Sequence, residues 1–590
     1  MSTDTSTSTV PITVPEGFKL YTENNAQILL EADAAFLNPV QEFNRDLSVA
    51  CINVWSEQLN KSKEERWRQG QERKAVKVRS KEESARKRQK VGHEVKSNPV
   101  VDATQSPEGK TDEGLHSEHP EKAQDESRKD LQAEVKHPQY TPHKVVILEA
   151  LAATGLRSIR YAKEIPLVKY VLANDLSPAA TEAMRRNIEL NSLGPVATEN
   201  GDSSEGQSLG KVRINEGDAC TLMYNHRPDK NRVDAVDLDP YGTAAPFIDA
   251  AVQCIKDGGL LCVTCTDLMV LATNNYPEKC FSNYGGVPVK AEYCHEAALR
   301  LVLHSVSSAA SKYGRYIEPL LSLSIDFYVR LFIRINTSPM QVKRAFTKTS
   351  NYYICTACQA FYAQPLGRIV ERRSESSGNV NELFRTQGGP LVSEKCPECE
   401  STLHIAGPMW SGDIHDTEFV SKVLEHVESN STRYGTATRM RGMLTVAKEE
   451  LHTPFYFTPT RVANHFHCQT PSLDDVASAL LHAGHKVSRS HACPGSIKTT
   501  ATREDIHDVF RSFVKIHPIN ENNISENSPA KRLLAKEPRS EANFKHHPDS
   551  VTSSSSVKIV RYPETPRYWG PGTRATGGKN GKRKREDKAD

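Results

Sequence analysis

In the middle of the chain, apolar residues come in short unbroken runs separated by stretches where they recur every three or four positions. Val145-Val146-Ile147-Leu148, Tyr170-Val171-Leu172-Ala173, Val212-Arg213-Ile214, Val233 to Val236 and Gly259 to Thr264 have the length and composition of strands. Residues 156–164, 178–193 and 245–256 carry the spacing of one-sided helices. This alternation predicts an α/β fold with a parallel, doubly wound sheet over residues 141–335. Ligands of such sheets bind beyond the carboxyl ends of the strands, so the chemistry is sought there.

Outside that core the pattern changes. Residues 1–15 are rich in Ser and Thr and are expected to be disordered. Residues 16–59 hold apolar anchors (Phe18, Leu20, Ile28, Leu29, Leu30, Phe36, Phe43) and are expected to pack on the α/β domain. From 60 to 140 the chain is basic and acidic, then rich in Ser, Glu, His and Pro. Lys61 to Lys90 can be written as a charged helix, but the low apolar content favours a solvated, disordered insert. A second domain, α+β, is expected over 336–517, followed by a disordered polar linker over 518–558. A short aromatic segment over 559–576 carries Tyr562, Tyr568 and Trp569, and 577–590 is a basic tail.

With 590 residues the chain exceeds one ordinary core. A net charge of +3 is too mild to identify a partner by itself. Thirteen cysteines are sparse for this length. Met1 to Thr9 lacks both a secretory apolar region and the arginines of a mitochondrial presequence, and no apolar run reaches the ~20 residues of a membrane span. A soluble, intracellular protein with reduced thiols is expected.

The strand ends carry acids. Asp237-Leu238-Asp239-Pro240-Tyr241-Gly242 follows the Val233 to Val236 run. By itself it reads as a turn, since Asp and Pro are common there. It also suits a site where a carboxylate and backbone carbonyls accept hydrogen bonds from an exocyclic amine while an aromatic ring stacks on the base. Glu149 to Arg157 leaves the first strand through small residues with Thr154 and Gly155, which let a backbone approach a ligand closely. The loop is not G-x-G-x-x-G, which argues against a dinucleotide fold. Asn174-Asp175 ends the second strand, where an acid commonly holds a ribose diol, and Gly217-Asp218-Ala219 is placed to reach an adenine edge. A lone strand-end acid is usually structural. Three in order, followed by Asp-Pro-Tyr, fit an S-adenosylmethionine-dependent methyltransferase.

Several motifs in sequence extend this. Phe43-Asn44-Arg45-Asp46-Leu47-Ser48, Ala153 to Arg160, Asp237 to Gly242, Asp326-Phe327-Tyr328-Val329-Arg330, Gly407-Pro408-Met409-Trp410, Thr453 to Phe457, Ser488 to Ala492 and Ile497-Lys498-Thr499 together resemble the tRNA (guanine-26-N2)-dimethyltransferase family. The resemblance covers about 16–60, 141–517 and the segment near Trp569. It implies a Rossmann-like class I methyltransferase domain and S-adenosylmethionine held by Arg45, Arg157, Asp175, Asp218 and Ala219. Arg45 would lie near the methionine carboxylate, with a structural salt bridge as the alternative. Ala153 stands where the family more often has serine, and Ala35-Phe36-Leu37-Asn38-Pro39 replaces a more aromatic pattern. At the target, Asp239 would accept a hydrogen from guanine N2, the Pro240 carbonyl the second, and Tyr241 would stack on the base. Asp237 would support the loop or share the contact. Rivals are a methyltransferase for another exocyclic base amine and a non-catalytic tRNA-binding protein.

Cys355-Thr-Ala-Cys358 and Cys396-Pro-Glu-Cys399 are paired knuckles separated by 37 residues, with Arg368 to Glu394 reading as a flexible insertion. Four thiolates so arranged suit a structural, zinc-ribbon-like tetrahedral zinc site; free cysteines or a disulfide are the alternatives, and His404 reads as a surface residue. Trp410, Tyr434, Arg439, Arg441, Tyr456, Arg461, Lys486, Arg489 and Lys498 suit contacts to tRNA, although most of the aromatics read as core. Lys582-Arg583-Lys584-Arg585 reads as a nuclear localisation signal or a plain basic tail.

Overall fold

The computed structural model describes residues 14–31, 41–93, 139–195, 209–376 and 378–556. They form two compact units: the chain to Glu57 together with the chain from Lys144, and Gln58–His143. Several expectations lie outside the described residues, namely those on 1–13, on Ala35 to Pro39, on 94–138, on Tyr562, Tyr568 and Trp569, and on Lys582 to Arg585.

In the first unit β1 (Phe18–Glu23) and β2 (Ala26–Glu31) pair antiparallel. Asn24 takes a left-handed conformation (φ 52°) that lets the two-residue turn close. α1 (Glu42–His93) follows, and Phe43, Leu47, Ile52 and Trp55 on its first turns are buried. Strands and helices then alternate as the pattern predicts: β3 (Val145–Glu149), α2 (Leu156–Glu164), β4 (Val168–Asp175), α3 (Pro178–Leu190), β5 (Val212–Glu216), α4 (Ala219–Asn225), β6 (Val233–Leu238), α5 (Ala245–Cys254) and β7 (Ile255–Cys265). After α6 (Leu268–Leu271), α7 (Pro277–Tyr284) and α8 (Cys294–Ser311) come β8 (Arg315–Ile325) and β9 (Tyr328–Thr337).

These build one seven-stranded sheet in the order β5-β4-β3-β6-β7-β9-β8. Every residue of β3 and β6 is buried, which is why their apolar runs are unbroken. The sheet is parallel except for β9, which runs antiparallel to both β7 and β8. The five strands read from the pattern, β3 to β7, are mutually parallel as expected, and β9 adds an antiparallel strand outside that reading. Asp326-Phe327 is too short a link for a crossover, so β8 can only return as a hairpin. β3 lies between β4 and β6, so the strand order reverses there and opens a crevice at the carboxyl ends.

The chain beyond Thr337 belongs to the same compact unit. After α9 (Pro339–Ala345), strands β10 (Thr349–Cys355), β11 (Phe361–Pro365) and, past the hairpin β12 (Gly367–Arg373)–β13 (Val380–Thr386), β14 (Leu403–Trp410) form a three-stranded sheet. The hairpin occupies the stretch expected to be a flexible insertion. Its seven backbone pairs give that chain a partner despite its polar composition. Helices α10 (Thr417–Ser429), α11 (Ala437–Glu449), α12 (Pro459–Phe466) and α13 (Leu473–His482), the short pair β15 (Val487–Ser488)–β16 (Lys498–Thr499), α14 (Arg503–Ile516) and α15 (Pro529–Leu534) complete the lobe. The expected linker over 518–558 is also corrected as far as it is described. Ala530 and Leu533 of α15 are buried, and Arg511 Nε donates to the Leu533 carbonyl at 2.9 Å. A few apolar side chains suffice to dock this polar stretch.

In the second unit, α1 continues to His93 where a disordered insert was expected. The stretch from Gln58 to His93 contains no proline, and Glu64 pairs with Arg68 one turn on at 3.1 Å. Trp67 meets Tyr140 at 6.0 Å between ring centroids, and the Asn60 amide holds both the N–H and the carbonyl of His143.

Candidate active site

Backbone and amide hydrogen bonds draw the four strand ends into one crevice. Ala152 N–H donates to the Asn174 carbonyl (2.7 Å), and Gly217 N–H donates to the Asp175 carbonyl (3.0 Å). The Asn174 side chain donates to the carbonyls of Ala150 (2.9 Å) and Gly217 (3.1 Å). Ala150 N–H donates to the Asp237 carbonyl (3.1 Å), so the loop after β3, Asp175, Asp218 and the Asp239 loop share one edge. The Asp175 carboxylate accepts from the N–H groups of Ala153 and Ser177, both at 2.9 Å. Ala153 (φ 48°) and Gly155 (φ 77°) both lie in the left-handed region. A Cβ on Gly155 would stand 3.0 Å from Met184 Cγ, so this turn needs its glycine. Asn187 donates to the Thr154 carbonyl at 2.9 Å. Asp218 is exposed and caps α4 through Thr221 N–H at 2.7 Å, while Ala219 beside it is buried.

Behind the crevice lies a buried array of charge. Asp237 is the fifth residue of β6 and 1% exposed. Its carboxylate accepts from Arg330 at 2.7 and 3.1 Å and from Tyr161 Oη at 2.5 Å. Burial alone would raise the Asp237 carboxyl, but the guanidiniums of Arg330 and Arg157 hold it below the usual range. Glu149, at the end of β3, has the opposite balance: burial pushes it up to about 8 against the pull of Arg157. Arg157 reaches Asp239, Ser48 Oγ (3.2 Å), Asp237 (3.6 Å) and Glu149 (3.7 Å). Asp239 is the acid of this array that reaches solvent, with 13% of its side chain exposed.

Arg45 lies elsewhere, in an ion pair with Glu23 of β1 (Nε to Oε1, 2.7 Å). Arg160 shares Glu23 and also binds Asp46 and Glu164, at 2.7 and 2.8 Å. Burial would raise the Glu23 carboxyl, yet Arg45 and Arg160 hold it down at about 2.

Sequence reasoning singled out neither Arg330, Tyr161 nor Ser48 as a site residue. The available signal was a charged residue inside the apolar run of β9. Replacing Arg330 by Met strips buried Asp237 of its bidentate partner, leaving it Tyr161 and a guanidinium 3.6 Å away, and is expected to cost about 3–5 kcal/mol in denaturant unfolding. An unfolding free energy within about 1 kcal/mol of wild type would refute this account.

The acceptor loop is pinned at its far end. Gly242 (φ 90°) exchanges two 2.8 Å hydrogen bonds with Thr266 after β7. Thr243 Oγ1 meets Tyr284 Oη at 2.7 Å, and Tyr284 donates to Asp267 at 2.8 Å. Pro240 is buried and Tyr241 is 78% exposed. A solvent-reaching carboxylate backed by a buried guanidinium thus stands beside an open aromatic ring. That arrangement can hold a planar, amine-bearing base.

In the distal lobe Cys355, Cys358, Cys396 and Cys399 are buried, with Sγ atoms within 4.8 Å of one another. Sγ separations of 3.4 Å (Cys355–Cys399) and 3.7 Å (Cys358–Cys396) resemble the ~3.8 Å edge of a tetrahedral Zn–S₄ site. All four are unbridged, and half-buried His404 stands outside the cluster.

Two of the distal motifs, Ser488 to Ala492 and Ile497-Lys498-Thr499, converge on buried Glu450. Its carboxylate meets Lys498 Nζ (3.1 Å), Ser490 Oγ (3.2 Å) and His491 Nδ1 (2.6 Å). His491 Nε2 and His415 Nδ1 accept the backbone N–H groups of Ser324 (3.1 Å) and Ser322 (3.3 Å) on β8. This network fastens the distal lobe to the sheet edge. The set considered for RNA contacts divides: Trp410, Tyr434 and Tyr456 are buried, in line with their reading as core, and Arg439 and Lys498 are buried against expectation, while Arg441, Arg461 and Lys486 are exposed and Arg489 is half-buried.

Burial holds His415 down at about 4. The folded protein then binds fewer protons than the unfolded chain between pH 4 and 6.5, so stability is lost on acidification through that window. His415 is expected to account for about 2 kcal/mol of loss at pH 5 in denaturant unfolding. His415→Gln should flatten that slope, and an unchanged slope would count against the assignment.

Among the described residues no helix is long and apolar enough to cross a membrane. The sequence model of the N2,N2-dimethylguanosine tRNA methyltransferase family matches residues 17–511. The chain is 40% identical over 571 residues to tRNA (guanine(26)-N(2))-dimethyltransferase of Mus musculus, spanning 96% of this chain and 78% of that protein. It is 39% identical over 540 residues to the enzyme of that name from Schizosaccharomyces pombe, spanning 91% and 88%. The solved structure of Trm1 from Pyrococcus horikoshii with S-adenosyl-L-methionine covers 83% of this chain and 98% of its own, with a TM-score of 0.57 and 24% identity, a likeness of fold. With the methyltransferase strand order, the acids gathered at its reversal point and a match running from the β1 hairpin into α14, this chain belongs to the N2,N2-dimethylguanosine tRNA methyltransferase family.

Proposed function

We propose that this protein transfers methyl groups from S-adenosylmethionine to the N2 amine of guanine 26 in tRNA, giving the dimethylated base. The observation that carries the reading is Asp239, a solvent-reaching carboxylate at the reversal point with an exposed Tyr241 two residues on. Asp175 would hold the cofactor's ribose, Asp218 and Ala219 its adenine, and the backbone at Thr154 and Gly155 would pass close to it. Arg157, and Arg45 if it leaves Glu23, would face the methionine carboxylate. The cofactor supplies a methyl group already activated by its sulfonium.

The chain's own task is alignment, because the guanine amine is planar and its lone pair is delocalised into the ring. Asp239 accepts one N2 hydrogen, the Pro240 carbonyl accepts the other, and Tyr241 stacks on the base, so the lone pair points at the methyl carbon. The target base must leave its stack to arrive there. Cys355, Cys358, Cys396 and Cys399 hold a structural zinc ion. Arg441, Arg461, Lys486 and Arg489 contact the tRNA backbone, and Lys582 to Arg585 directs the protein to the nucleus. Incubation with labelled cofactor and unmodified tRNA, followed by nucleoside mass spectrometry, is expected to place label in N2,N2-dimethylguanosine at one position. Label on adenine would sink the reading.

A further inference from the structure

The continuation of α1 in the second unit has its charge sorted by face. From Gln58 to Lys81 there are nine lysines and arginines against three glutamates, although the whole chain has a net charge of only +3. At about 100° per residue, Arg66, Arg73, Lys74, Lys77 and Lys81 fall within one stripe about 100° wide. Glu64, Glu65 and Glu72 fall on the opposite side, as does the Glu64–Arg68 pair. The five stripe residues are all exposed, and their side chains make no ion pair among the described residues. Tyr140 and His143, which meet Trp67 and Asn60, run along one flank and leave the stripe open.

We infer that this stripe is a docking surface for the sugar–phosphate backbone of tRNA, with Gly70 at the point of closest approach. The inference rests on tRNA being the substrate. A helix that needed only to be soluble would alternate its charges. Here Arg73 with Lys77, and Lys77 with Lys81, are like-charge neighbours four residues apart, which destabilise a helix, while the glutamates that could offset them face away. A polyanion laid along the stripe removes that repulsion and releases its own counterions. Gly70 stands at the centre of the stripe, one turn from Arg66 and from Lys74. Nothing lies within 4 Å of the place its Cβ would take, so no contact within the chain requires glycine there, and a glycine inside a helix costs stability. It leaves bare backbone between basic side chains, where a second chain can come close. A lipid surface fits less well. The exposed Val76 and Val78 point about 160° apart around the helix, so no apolar face accompanies the charge.

The test measures the tRNA Kd across a range of salt, together with kcat and the cofactor Kd, in the full chain and in R66Q/R73Q/K74Q/K77Q/K81Q, where glutamine keeps the helix propensity. The fivefold variant is expected to bind tRNA about 30-fold more weakly near physiological salt, with a slope of log Kd on log salt shallower by about 3–4. At saturating tRNA its kcat, and its cofactor Kd, are expected to stay within about 2-fold of wild type, because the stripe binds and does not react. K61Q/R68Q/R79Q removes charge from the opposite side and is expected to weaken tRNA binding by less than about 3-fold. G70L keeps every charge and favours the helix, yet is expected to weaken tRNA binding about 5-fold by filling the bare strip. An unchanged Kd and slope in the fivefold variant would overturn the inference, as would a loss per charge as large on the opposite side. Capture of the wild type by phosphatidylserine vesicles, with tRNA affinity intact in the fivefold variant, would overturn it too. If that variant loses helical circular dichroism, R73Q/K74Q decides: a slope shallower by about 1.5 supports the surface, and an unchanged slope refutes it. A wild type that neither binds nor methylates tRNA would instead remove the underlying reading, so the two failures are distinct.

Discussion

Asp239→Ala is expected to bind S-adenosylmethionine as wild type does and to lose methyl transfer by about 10³-fold, the scale of removing a preorganised polar contact to the reacting group. Asp175, Asp218 and the loop after β3, proposed to hold the cofactor's ribose and adenine, keep their backbone hydrogen bonds without Asp239. The array behind it also survives, since Asp237 keeps Arg330 and Tyr161, and Arg157 keeps Ser48 with Asp237 and Glu149 nearby. Calorimetric titration with cofactor beside single-turnover transfer to tRNA separates binding from chemistry. Loss of cofactor binding would show that Asp239 belongs to the cofactor half of the crevice. The neighbouring acid should behave differently: Asp237→Ala strips Arg330 of its partner inside the sheet and is expected to act through stability.

Removing the metal is the second large effect. The purified protein is expected to contain one zinc ion per chain, and a strong chelator or Cys399→Ser is expected to unfold the distal lobe. The four cysteines pack in one cluster with Phe457, Val462, Phe466, Leu480, Phe510 and Leu533, so the knuckles and the helices share a core. Structural zinc contributes on the order of 10–16 kcal/mol in isolated fingers, comparable with the whole stability of an ordinary domain. Elemental analysis checks the content, and loss of helical circular dichroism on chelation checks the consequence. Protein purified without metal, or an unchanged melting curve in chelator, would return the cysteines to a plain core role. Because Glu450, His491 and His415 tie that lobe to β8, methyl transfer is expected to fall with it.

How far the sequence could be read follows from the range of the forces involved. Local patterns carried β3, β6, α2 and α3, because a strand covered on both faces must be apolar at every position and a helix covered on one must be apolar in a stripe. Cysteine spacing carried the four-cysteine cluster for a similar reason, as each C-x₂-C pair is local. The charged stretch after Lys61 misled, because composition speaks to burial and not to whether an unbroken helix continues. The polar run over 518–556 misled in the same way, since two buried side chains of α15 were enough to dock it.

The chain by itself thus determined the parallel strands β3 to β7, their carboxyl ends as the place of the chemistry and the acids that stand there. Tertiary structure decided which acid is sealed and which reaches solvent. Asp237 and Asp239 stand two residues apart and look alike in sequence. One is taken by Arg330, 93 residues away, and sealed in the sheet, while the other meets Arg157 at the solvent edge. Arg45 reads toward a cofactor, with a salt bridge as the alternative, and is found on Glu23; Lys498 reads toward RNA and is found on Glu450. A charged side chain's role is set by the opposite charge that folding brings to it and by the water that folding takes away, and neither is written in its neighbours along the chain.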